Sequence, residues 1–532
     1  MRFRLLLAMT SALALPCTSV SAQQIRVVNM IPRSLSHEHE ENSEPSVTVH
    51  PKDAAFVIGT AFTIYTNNYC DKAHSPAFVS SDSGEAWSMV CVLPTPPFLL
   101  TQSRQPAMDM TARFSGDGSA LYAGFLMQDQ ANADTLLGTD AHIIGYLETI
   151  QGNLKLLFAR AALGLGLPDW KYLLFRPSVD QPFLATSSTA SRYIAIGADD
   201  DYMFNDSTCF SGSVYSTIDA FPVNGVVGSN QVHPYCVAFR PSSGRTPAVR
   251  PAIASDGSVY GILYRPIGVK DTVDVVVVRN DPITLSVTSA FLGIRDGDSL
   301  RSNPIKLNMN RPQCGVRDGA PGFRVKTCAL YPMPADTMYG SFGNERRIRS
   351  ELSIAVSQTD PAHVYVAWAD SVPGRVAHLT LHFASSTDRG ATWTTAPFSV
   401  DSATNPALAV ASDGAVGILY QHLASRNGAP RWEVCFALST DGLASSPTCS
   451  RLADTPAGAP TVEAQPYLGD YLTLEARGRN FFGIFSASND LSHSTFWPDF
   501  GVQRRYKDGL PIDLQGNPVP ISIDPYFVRV IR

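Results

Sequence analysis

The stretch Ser386–Trp393, which reads STDRGATW, gives the clearest indication of the fold of this chain of 532 residues. The run just before it alternates apolar and polar side chains with a period of two, which predicts a half-buried strand. Ser386 and Asp388 carry short oxygen acceptors that can bond backbone N–H groups inside a turn. Gly390 allows a positive φ, and Trp393 returns a large apolar ring to the next strand. The stretch therefore predicts two strands joined by a tight, internally bonded turn.

The same spacing, Ser-x-Asp-x-Gly-x-x-Trp, occurs twice in full and once in part. The second full copy is Ser80–Trp87, SSDSGEAW, and the partial copy is Ser439–Gly442, STDG, which also follows a strand-like run. Two full matches in one chain indicate a repeated structural unit. The motif positions of the full copies are Ser80, Asp82, Gly84, Trp87, Ser386, Asp388, Gly390 and Trp393.

A second pattern recurs seven times: a polar lead residue, often followed by proline, then a strand, a tight turn and another strand. Several of the turns are Asp-Gly, which is a strong hairpin signal between apolar runs. The repeat is roughly 70 residues long with about four strands, which is typical of a propeller blade. We therefore predict an all-β protein, a β-propeller of seven blades, with six blades as the alternative and stacked β-sandwiches as the competing architecture. The seven hairpins lie at Glu44–Ala61, Asp109–Phe125, Asp180–Gly197, Arg250–Tyr264, Glu351–Trp368, Asn405–Tyr420 and Asp470–Ser486.

These motifs resemble those of secreted bacterial sialidase-like β-propellers, whose BNR or Asp-box repeats have this spacing. Ser43–Ser46, Asp360–Asp370 and Gln465–Tyr471 also look like stretches of such proteins. The resemblance implies six blades, an exo-glycosidase activity of sialidase type, and turns on the face away from the active site. Because the repeated motifs are structural, they say little about the chemistry.

Composition predicts a globular protein, and the N-terminal segment predicts export. The charged fraction is 17% and the apolar fraction 44%, which excludes a disordered chain. The net charge of −6 gives no electrostatic case for nucleic acid. Residues 1–22 have the charged start, short apolar run and small-residue exit of a signal peptide, and that run is too short to span a membrane. We expect a secreted or periplasmic monomer.

The rest of the chain divides simply. Residues 23–43 form a lead-in, in which His37–Glu41 is expected to be a solvated charge run rather than a metal site. Residues 44–532 form a single propeller domain with a long inter-blade insertion at about 281–345. The final run, Val519–Ile531, is strand-like and either pairs with the lead-in or completes the last blade.

Eight cysteines remain after the predicted leader, in four pairs of sequence neighbours. An even count in an exported protein indicates disulfides, and hairpin partners can bring two sulfurs within bonding distance. The expected pairs are Cys70–Cys91, Cys209–Cys236, Cys314–Cys328 and Cys435–Cys449.

The lead residues of the hairpins are the candidate functional residues. In a propeller the inner strand of each blade starts at the mouth of the central channel, so these residues are expected to line it. Acid/base carboxylates, cation binding, sugar hydrogen bonding and a solvated channel without ligand remain open interpretations. The lead residues are Glu44, Asp109, Asp180, Arg250, Glu351, Asn405 and Asp470.

Glycoside hydrolysis requires a carboxyl group of raised pKa and a nucleophile or base opposite it. Glu351, Asp180, Asp109 and Asp470 can supply carboxylates, and the predicted catalytic ones are Glu351, Asp180 and Asp470. The sialidase resemblance adds Tyr471 as the late nucleophile. Where that family has an early Arg-Ile-Pro, this chain has MIPR at Met30–Arg33, so the resemblance supplies no first substrate arginine. The predicted substrate contacts are Arg250, Arg349, Glu44, Asp109 and Asn405, with guanidinium groups suited to bidentate contact with a carboxylate.

The sequence thus predicts a secreted, sialidase-like glycoside hydrolase acting on an anionic or extracellular glycan. The alternative is a non-catalytic propeller that binds a glycan or a protein. No cofactor is predicted, with calcium at Asp199–Asp201, Asn205 and Asp206 as an open option because calcium takes oxygen ligands.

Overall fold

The computed structural model describes most of the strand-forming chain. The described residues are 23–63, 70, 74–94, 108–128, 140–148, 171–177, 179–188, 193–200, 211–217, 233–237, 249–266, 273–280, 305–306, 352–371, 379–457, 468–469, 471–497 and 499–532.

Within these ranges the protein is all-β. It has one 3-10 helix, Arg33–Leu35, and no α-helix. None of the helical structure described is long or apolar enough to cross a membrane. The chain begins with β1 (Gln24–Asn29), which joins the last sheet rather than the first.

The described strands form seven sheets of four or five strands and one two-stranded ribbon. The first four sheets follow one another along the chain, and each is an antiparallel meander. They comprise β2 (Asn42–Val49), β3 (Val57–Thr63), β4 (His74–Ser80), β5 (Ser88–Pro94); β6 (Met108–Phe114), β7 (Ala120–Gln128), β8 (Asp140–Glu148), β9 (Lys171–Pro177); β10 (Val179–Thr186), β11 (Ile194–Asp200), β12 (Ser211–Thr217), β13 (His233–Val237); and β14 (Arg250–Ile253), β15 (Val259–Pro266), β16 (Val273–Asn280), β17 (Ile305–Lys306).

The other three sheets and the ribbon follow. The fifth sheet has β18 (Leu352–Val356), β19 (Val364–Ser371), β20 (Leu379–Ser386), β21 (Thr394–Thr395) and β22 (Val400–Asp401). The sixth has β23 (Ala403–Val410), β24 (Val416–Arg426), β25 (Ala429–Ser439) and β26 (Cys449–Pro456), and the seventh has β27 (Thr473–Arg477), β28 (Asn480–Ser488) and β1. Later strands add to these: β29 (Thr495–Phe496) joins the sixth sheet, β30 (Asp499–Gly501) and β33 (Ile523–Ile531) join the seventh, and β31 (Tyr506–Lys507) with β32 (Leu510–Pro511) makes the ribbon.

Each of the seven predicted hairpins is present as the first two strands of one sheet. The strand-like run near residue 531 meets both expectations, because β33 pairs with β1 on one side and with β28 on the other. The seventh sheet is therefore assembled from early and late parts of the chain.

The first strands of the seven sheets contact one another in a fixed order. β2 contacts β6, and the series continues through β10, β14, β18, β23 and β27, which contacts β2 again. Side-chain hydroxyls tie neighbouring first strands together: the amide of Phe114 donates to Thr48 Oγ1 at 3.0 Å, and that of Leu408 to Ser353 Oγ at 3.0 Å. Thr473 Oγ1 donates to the carbonyl of Pro45 at 3.0 Å, which links the seventh sheet to the first.

Apolar faces of adjacent sheets pack together between these strands. Trp432 packs with Phe383 between the sixth and fifth sheets, and Phe436 packs with Phe481 between the sixth and seventh. Face-to-face burial of this kind is the ordinary way in which two sheets form a core. The core of the described protein is thus divided among the spaces between sheets.

The three Ser-x-Asp turns each follow the third strand of a sheet and form the expected internal bonds. In the turn after β20, Ser386 Oγ donates to Asp388 Oδ1 at 2.7 Å, and the Gly390 amide donates to Ser386 Oγ at 2.7 Å. Hydrogen bonds from the Thr392 hydroxyl and amide lower the pKa of the exposed Asp388 carboxyl to about 2. The turn after β4 repeats these bonds, with Ser80 Oγ donating to Asp82 Oδ1 at 2.8 Å.

The partial copy after β25 adopts the same geometry. Ser439 Oγ donates to Asp441 Oδ1 at 2.8 Å, and the Leu443 amide donates to Ser439 Oγ at 2.9 Å. Leu443, at the position that holds glycine in the full copies, has a φ of 72° and is buried. Burial of its side chain offsets a conformation that a non-glycine residue rarely adopts.

Gly84 lies in the Ser-x-Asp turn after β4, and Gly414 lies in the turn between β23 and β24. Together they test how strongly a turn glycine is packed against the core. Both have a positive φ, 87° and 83°. A Cβ added at Gly84 would collide with the Phe527 ring, whereas a Cβ added at Gly414 would meet no described atom within 4 Å. We expect Gly414→Ala to lower the free energy of unfolding by about 1 kcal/mol and Gly84→Ala by about 2–4 kcal/mol, since the core must also shift. Urea denaturation measures both, and equal losses would contradict the packing role of Gly84.

Two of the four predicted disulfides are present. Cys70 pairs with Cys91, and Cys435 pairs with Cys449 across β25 and β26. Both are compatible with an oxidising, extracellular environment. Cys209–Cys236 and Cys314–Cys328 each include a residue outside the described ranges. The predicted leader at residues 1–22 and most of the predicted insertion at 281–345 also lie outside them.

The charge run at His37–Glu41 differs from the prediction. Glu38, Glu40 and Glu41 are buried rather than solvated. The reason is non-local: this segment connects β1 of the seventh sheet to β2 of the first, and Arg504 reaches it from a distant part of the chain. The expectation of a solvated linker was therefore wrong.

Candidate functional site

A cavity of about 240 Å³ lies where the first strands of the sheets meet. Residues of β2, β6, β10, β14, β18, β23 and β27 all line it. The chain places polar lead residues at the start of these strands, so one end of the cavity collects side chains from several sheets. We call this end the mouth.

The mouth holds a cluster of Phe183, Arg250 and Tyr471, contributed by three different sheets. The Arg250 guanidinium carbon lies 3.4 Å from the centroid of the Phe183 ring and 5.1 Å from that of the Tyr471 ring. The two rings meet edge to face, with centroids 5.3 Å apart. Cation–π contacts of this kind fix the orientation of a guanidinium.

A second charged group lies deeper in the cavity. Glu475 forms an ion pair with Arg113, whose Nε lies 3.3 Å from Oε1, and accepts a hydrogen bond from Arg477 Nη2 at 3.1 Å. The same arginines donate to backbone carbonyls of β2, Arg113 to Val47 at 2.9 Å and Arg477 to Val49 at 3.0 Å. These bonds satisfy the inner edge of a first strand, which has no further strand beside it, so this group is a structural brace.

The described part of the cavity wall carries a charge opposite to that of the protein. Among the described lining residues, the charged ones are Arg113, Arg250, Arg477 and Glu475, three positive against one negative. The whole chain carries −6. Arginines concentrated in a concave site raise the local concentration of anions, so the wall favours an anionic ligand.

Four first strands carry a β-bulge at the same point. The register shifts between Ser43 and Ser46 in β2, and corresponding shifts occur in β6, β10 and β23. Two lead residues in these bulges, Glu44 and Asn405, have a φ of 50° and precede proline. Bulges and strained non-glycine residues re-aim side chains and occur often at binding sites.

Asn405 and Glu44 help to join the sheets around the mouth. Asn405 Nδ2 donates to Gln421 Oε1 at 2.8 Å and to the carbonyl of Gly469 at 3.2 Å. Gly469 in turn lies against the backbone of Glu44 so closely that a Cβ would collide with it. Both lead residues are buried. The described contacts of Asn405 are those of a brace, and contact of either residue with substrate stays a prediction.

The described residues include only part of the predicted site. Arg250 and Tyr471 lie together at the mouth. The backbones of Asp109 and Asp180 lie at the bulges of β6 and β10, but their side chains are outside the described part. Glu351, Arg349 and Asp470 are outside the described ranges altogether, and so are Asp201, Asn205 and Asp206.

Asp199 and Asp200, the first two residues of the acidic cluster considered for calcium, end strand β11. No group of three or more His, Cys, Asp or Glu residues that could hold a metal ion occurs among the residues whose positions are given above.

Sequence reasoning missed Phe183, Gln421 and the deep brace. A signal for the brace exists in β27, where Thr473, Glu475 and Arg477 alternate with apolar residues and so share one face. Phe183 gave no such signal, because its partners lie in the fourth and seventh sheets. Gln421 is fully buried, and its Nε2 has no hydrogen-bond partner in the part of the chain that the structure covers.

Comparison with known proteins finds distant structural similarity only. No protein-family model matches the sequence, and no curated protein matches it. Among solved structures, the α-L-arabinofuranosidase Arb93A of Fusarium graminearum is 9% identical, with 95% of this chain and 97% of that chain covered and a TM-score of 0.40. Sqt1 of Chaetomium thermophilum is 12% identical, with 95% and 98% covered and a TM-score of 0.38. The Hadza microbial sialidase Hz136 is 9% identical, with 81% and 70% covered and a TM-score of 0.35.

Proposed function

We propose that this chain is a secreted, seven-bladed β-propeller that hydrolyses an anionic glycan at the mouth of its central cavity. The blade count rests on seven sheets whose first strands contact one another in an order that returns to β2. The function rests chiefly on one observation, the Arg250 guanidinium stacked on Phe183 beside Tyr471 in a cavity whose described wall carries three arginines and one glutamate.

In this proposal the Arg250 guanidinium binds the carboxylate or sulfate of the sugar. Tyr471, whose ring is 5.1 Å from the guanidinium carbon, lies beside the bound sugar and acts as the nucleophile. Glu351, Asp180 and Asp470 supply the acid and base. The Tyr471 oxygen attacks the anomeric carbon while the acid protonates the departing oxygen, and water later cleaves the bond between sugar and tyrosine, so we expect retention of configuration.

The second candidate function is glycan or protein binding without hydrolysis. Glu475 is the one carboxylate on the cavity wall among the residues that the structure describes, and it is paired with Arg113 and Arg477. These pairs give Glu475 the structural role of a brace rather than that of a proton donor to a substrate. If the lead carboxylates do not face the mouth, the site binds anions and does not cleave them.

A screen of the purified protein against fluorogenic glycosides, with sialosides, arabinofuranosides and uronides included, tests the proposal. We expect turnover of an anionic glycoside, which Glu351→Gln and Tyr471→Phe each reduce about 100-fold or more while changing KM little. Tyr365→Phe serves as the control, because Tyr365 is buried in β19 away from the cavity wall. Binding without turnover of any glycoside would instead favour the second candidate function.

A further inference from the structure

The segment of residues 36–42 crosses from the seventh sheet to the first, and we call it the latch segment. It follows β1 and the 3-10 helix, and it enters β2 at Asn42. On the way, Glu41 forms a parallel bridge with Ile523 at the start of β33. The segment therefore lies against strands of both sheets.

Arg504 holds the latch segment to β33. Its side chain is fully buried, and Nη1 donates to both carboxylate oxygens of Asp524 at 2.8 Å. Nη2 donates to the carbonyls of Ser36 at 3.2 Å and Glu38 at 2.5 Å. One guanidinium thus joins the latch segment to the seventh sheet without help from solvent.

The charges around Arg504 do not balance unless one carboxyl group is protonated. Asp524 accepts from Arg504 and from the amides of Asn29 and Asn489, at 2.7 Å and 2.9 Å, so both of its oxygens already face N–H donors. Glu38 accepts from Asn42 through Oε1 at 3.0 Å. Its Oε2 lies 3.6 Å from Arg504 and has no hydrogen bond among the described residues. The proton is therefore expected on Glu38.

Other titratable groups near Arg504 do not supply the missing positive charge. Burial raises the pKa of Tyr506 and of Tyr526 well above the ordinary value, so both phenols are neutral. Asp490 lies near Tyr506 and is bonded to His493 at 2.7 Å. Burial, followed by repulsion from Asp524, raises the pKa of Glu38 to about 8 against the attraction of Arg504.

Glu41 is a second buried acid in the same segment. It is 5% exposed, and neither carboxylate oxygen has a hydrogen-bond partner in the described part of the protein. Burial alone raises its pKa to about 8. Of the strands that approach it, β33 presents Ile523, and no described charged group acts on Glu41. An ionised Glu41 would have no compensating charge.

We propose that the latch segment is a proton-controlled lock, seated while Glu38 and Glu41 are protonated and released from Arg504 when both ionise in alkaline solution. Release reaches the mouth of the cavity, because Glu44 lies three residues beyond Glu41 and touches Gly469, two residues before Tyr471. The lock does not depend on the proposed hydrolase function.

The sign of the pH dependence follows from proton binding. An acid whose pKa is raised in the folded protein binds more protons folded than unfolded, so stability falls as pH rises from about 4.5 towards 8. Unfolding at pH 6.5 therefore releases the protons of Glu38 and Glu41, because both carboxyl groups ionise once they reach water. Calorimetric unfolding in buffers of different ionisation enthalpy counts them.

We expect Glu38→Gln and Glu41→Met each to reduce the number of protons released on unfolding at pH 6.5 by about one. Asp508→Asn is the control, because Asp508 is exposed in the turn of the ribbon and should leave the number unchanged. Should Glu41→Met fail to fold, Glu41→Gln replaces it with the same expected loss. Proton release equal to that of the wild type in the Glu38 and Glu41 variants would overturn the proposal.

Hydrogen exchange then separates local release from general loosening. At pH 9, amides of residues 36–44 should lose protection relative to those of β24 and β25 after correction for the intrinsic pH dependence of exchange. The Glu38→Gln/Glu41→Met double variant should keep that protection. Equal behaviour of the latch segment and the reference strands in the wild type would contradict the lock.

Discussion

Replacing Arg250 with methionine is expected to weaken the binding of a carboxylated monosaccharide by roughly 30- to 1,000-fold. The change removes the charge that the proposed site offers to the ligand, while methionine still fills space against the Phe183 ring, whose centroid lies 3.4 Å from the guanidinium carbon. Calorimetric titration with glucuronate and with N-acetylneuraminate at low salt measures the loss. Affinity for the wild type should also fall as salt is added.

Arg479→Met is the control for this prediction. The Arg479 side chain is 61% exposed and pairs with Asp413 in the turn between β23 and β24, outside the cavity wall. It removes the same charge from the protein but none from the mouth. An equal loss of affinity in both variants, or no loss in Arg250→Met, would show that the mouth does not bind the anion.

The largest stability effect is expected at Arg504. Arg504→Met should lower the free energy of unfolding by about 3–5 kcal/mol, because Asp524 stays buried and charged without its guanidinium partner. Urea denaturation at pH 7 measures the loss. The double variant Arg504→Met/Asp524→Asn should recover part of it, since no unpaired charge then remains. A loss below about 1 kcal/mol in the single variant would contradict a stabilising role for the pair of Arg504 and Asp524.

The local parts of this fold were predictable because their causes lie within a few residues. Asp-Gly pairs between apolar runs predicted the hairpins, and the turn after β20 closes through bonds between Ser386, Asp388 and their own backbone. The partial motif at Ser439 is instructive, because its glycine is displaced by one residue and the same turn still forms. Hydrogen bonding from the serine and aspartate therefore specifies this turn more strongly than the position of the glycine.

The candidate site could be predicted only in part. Arg250 was identified as the lead residue of a repeated hairpin and Tyr471 from the sialidase resemblance, and they do lie within 5.1 Å of each other, measured from guanidinium carbon to ring centroid. Phe183 and the burial of Glu38 were missed, because each depends on contacts between residues far apart in sequence. The local pattern of hydropathy cannot show that the guanidinium of Arg504 contacts the distant latch segment.

The position of β1 has a consequence for synthesis of the protein. β1 lies between β33 and β30, and its Gln24 pairs with Ile531. A growing chain therefore carries β1 without either neighbour until nearly the whole sequence has been translated. Val27 and Val28, which are fully buried in the finished sheet, remain exposed on an unpaired strand during that time, and such strands associate readily with other chains. Protection of this one strand in the nascent chain, by a chaperone or by rapid export, is thus a condition for the last sheet to form correctly.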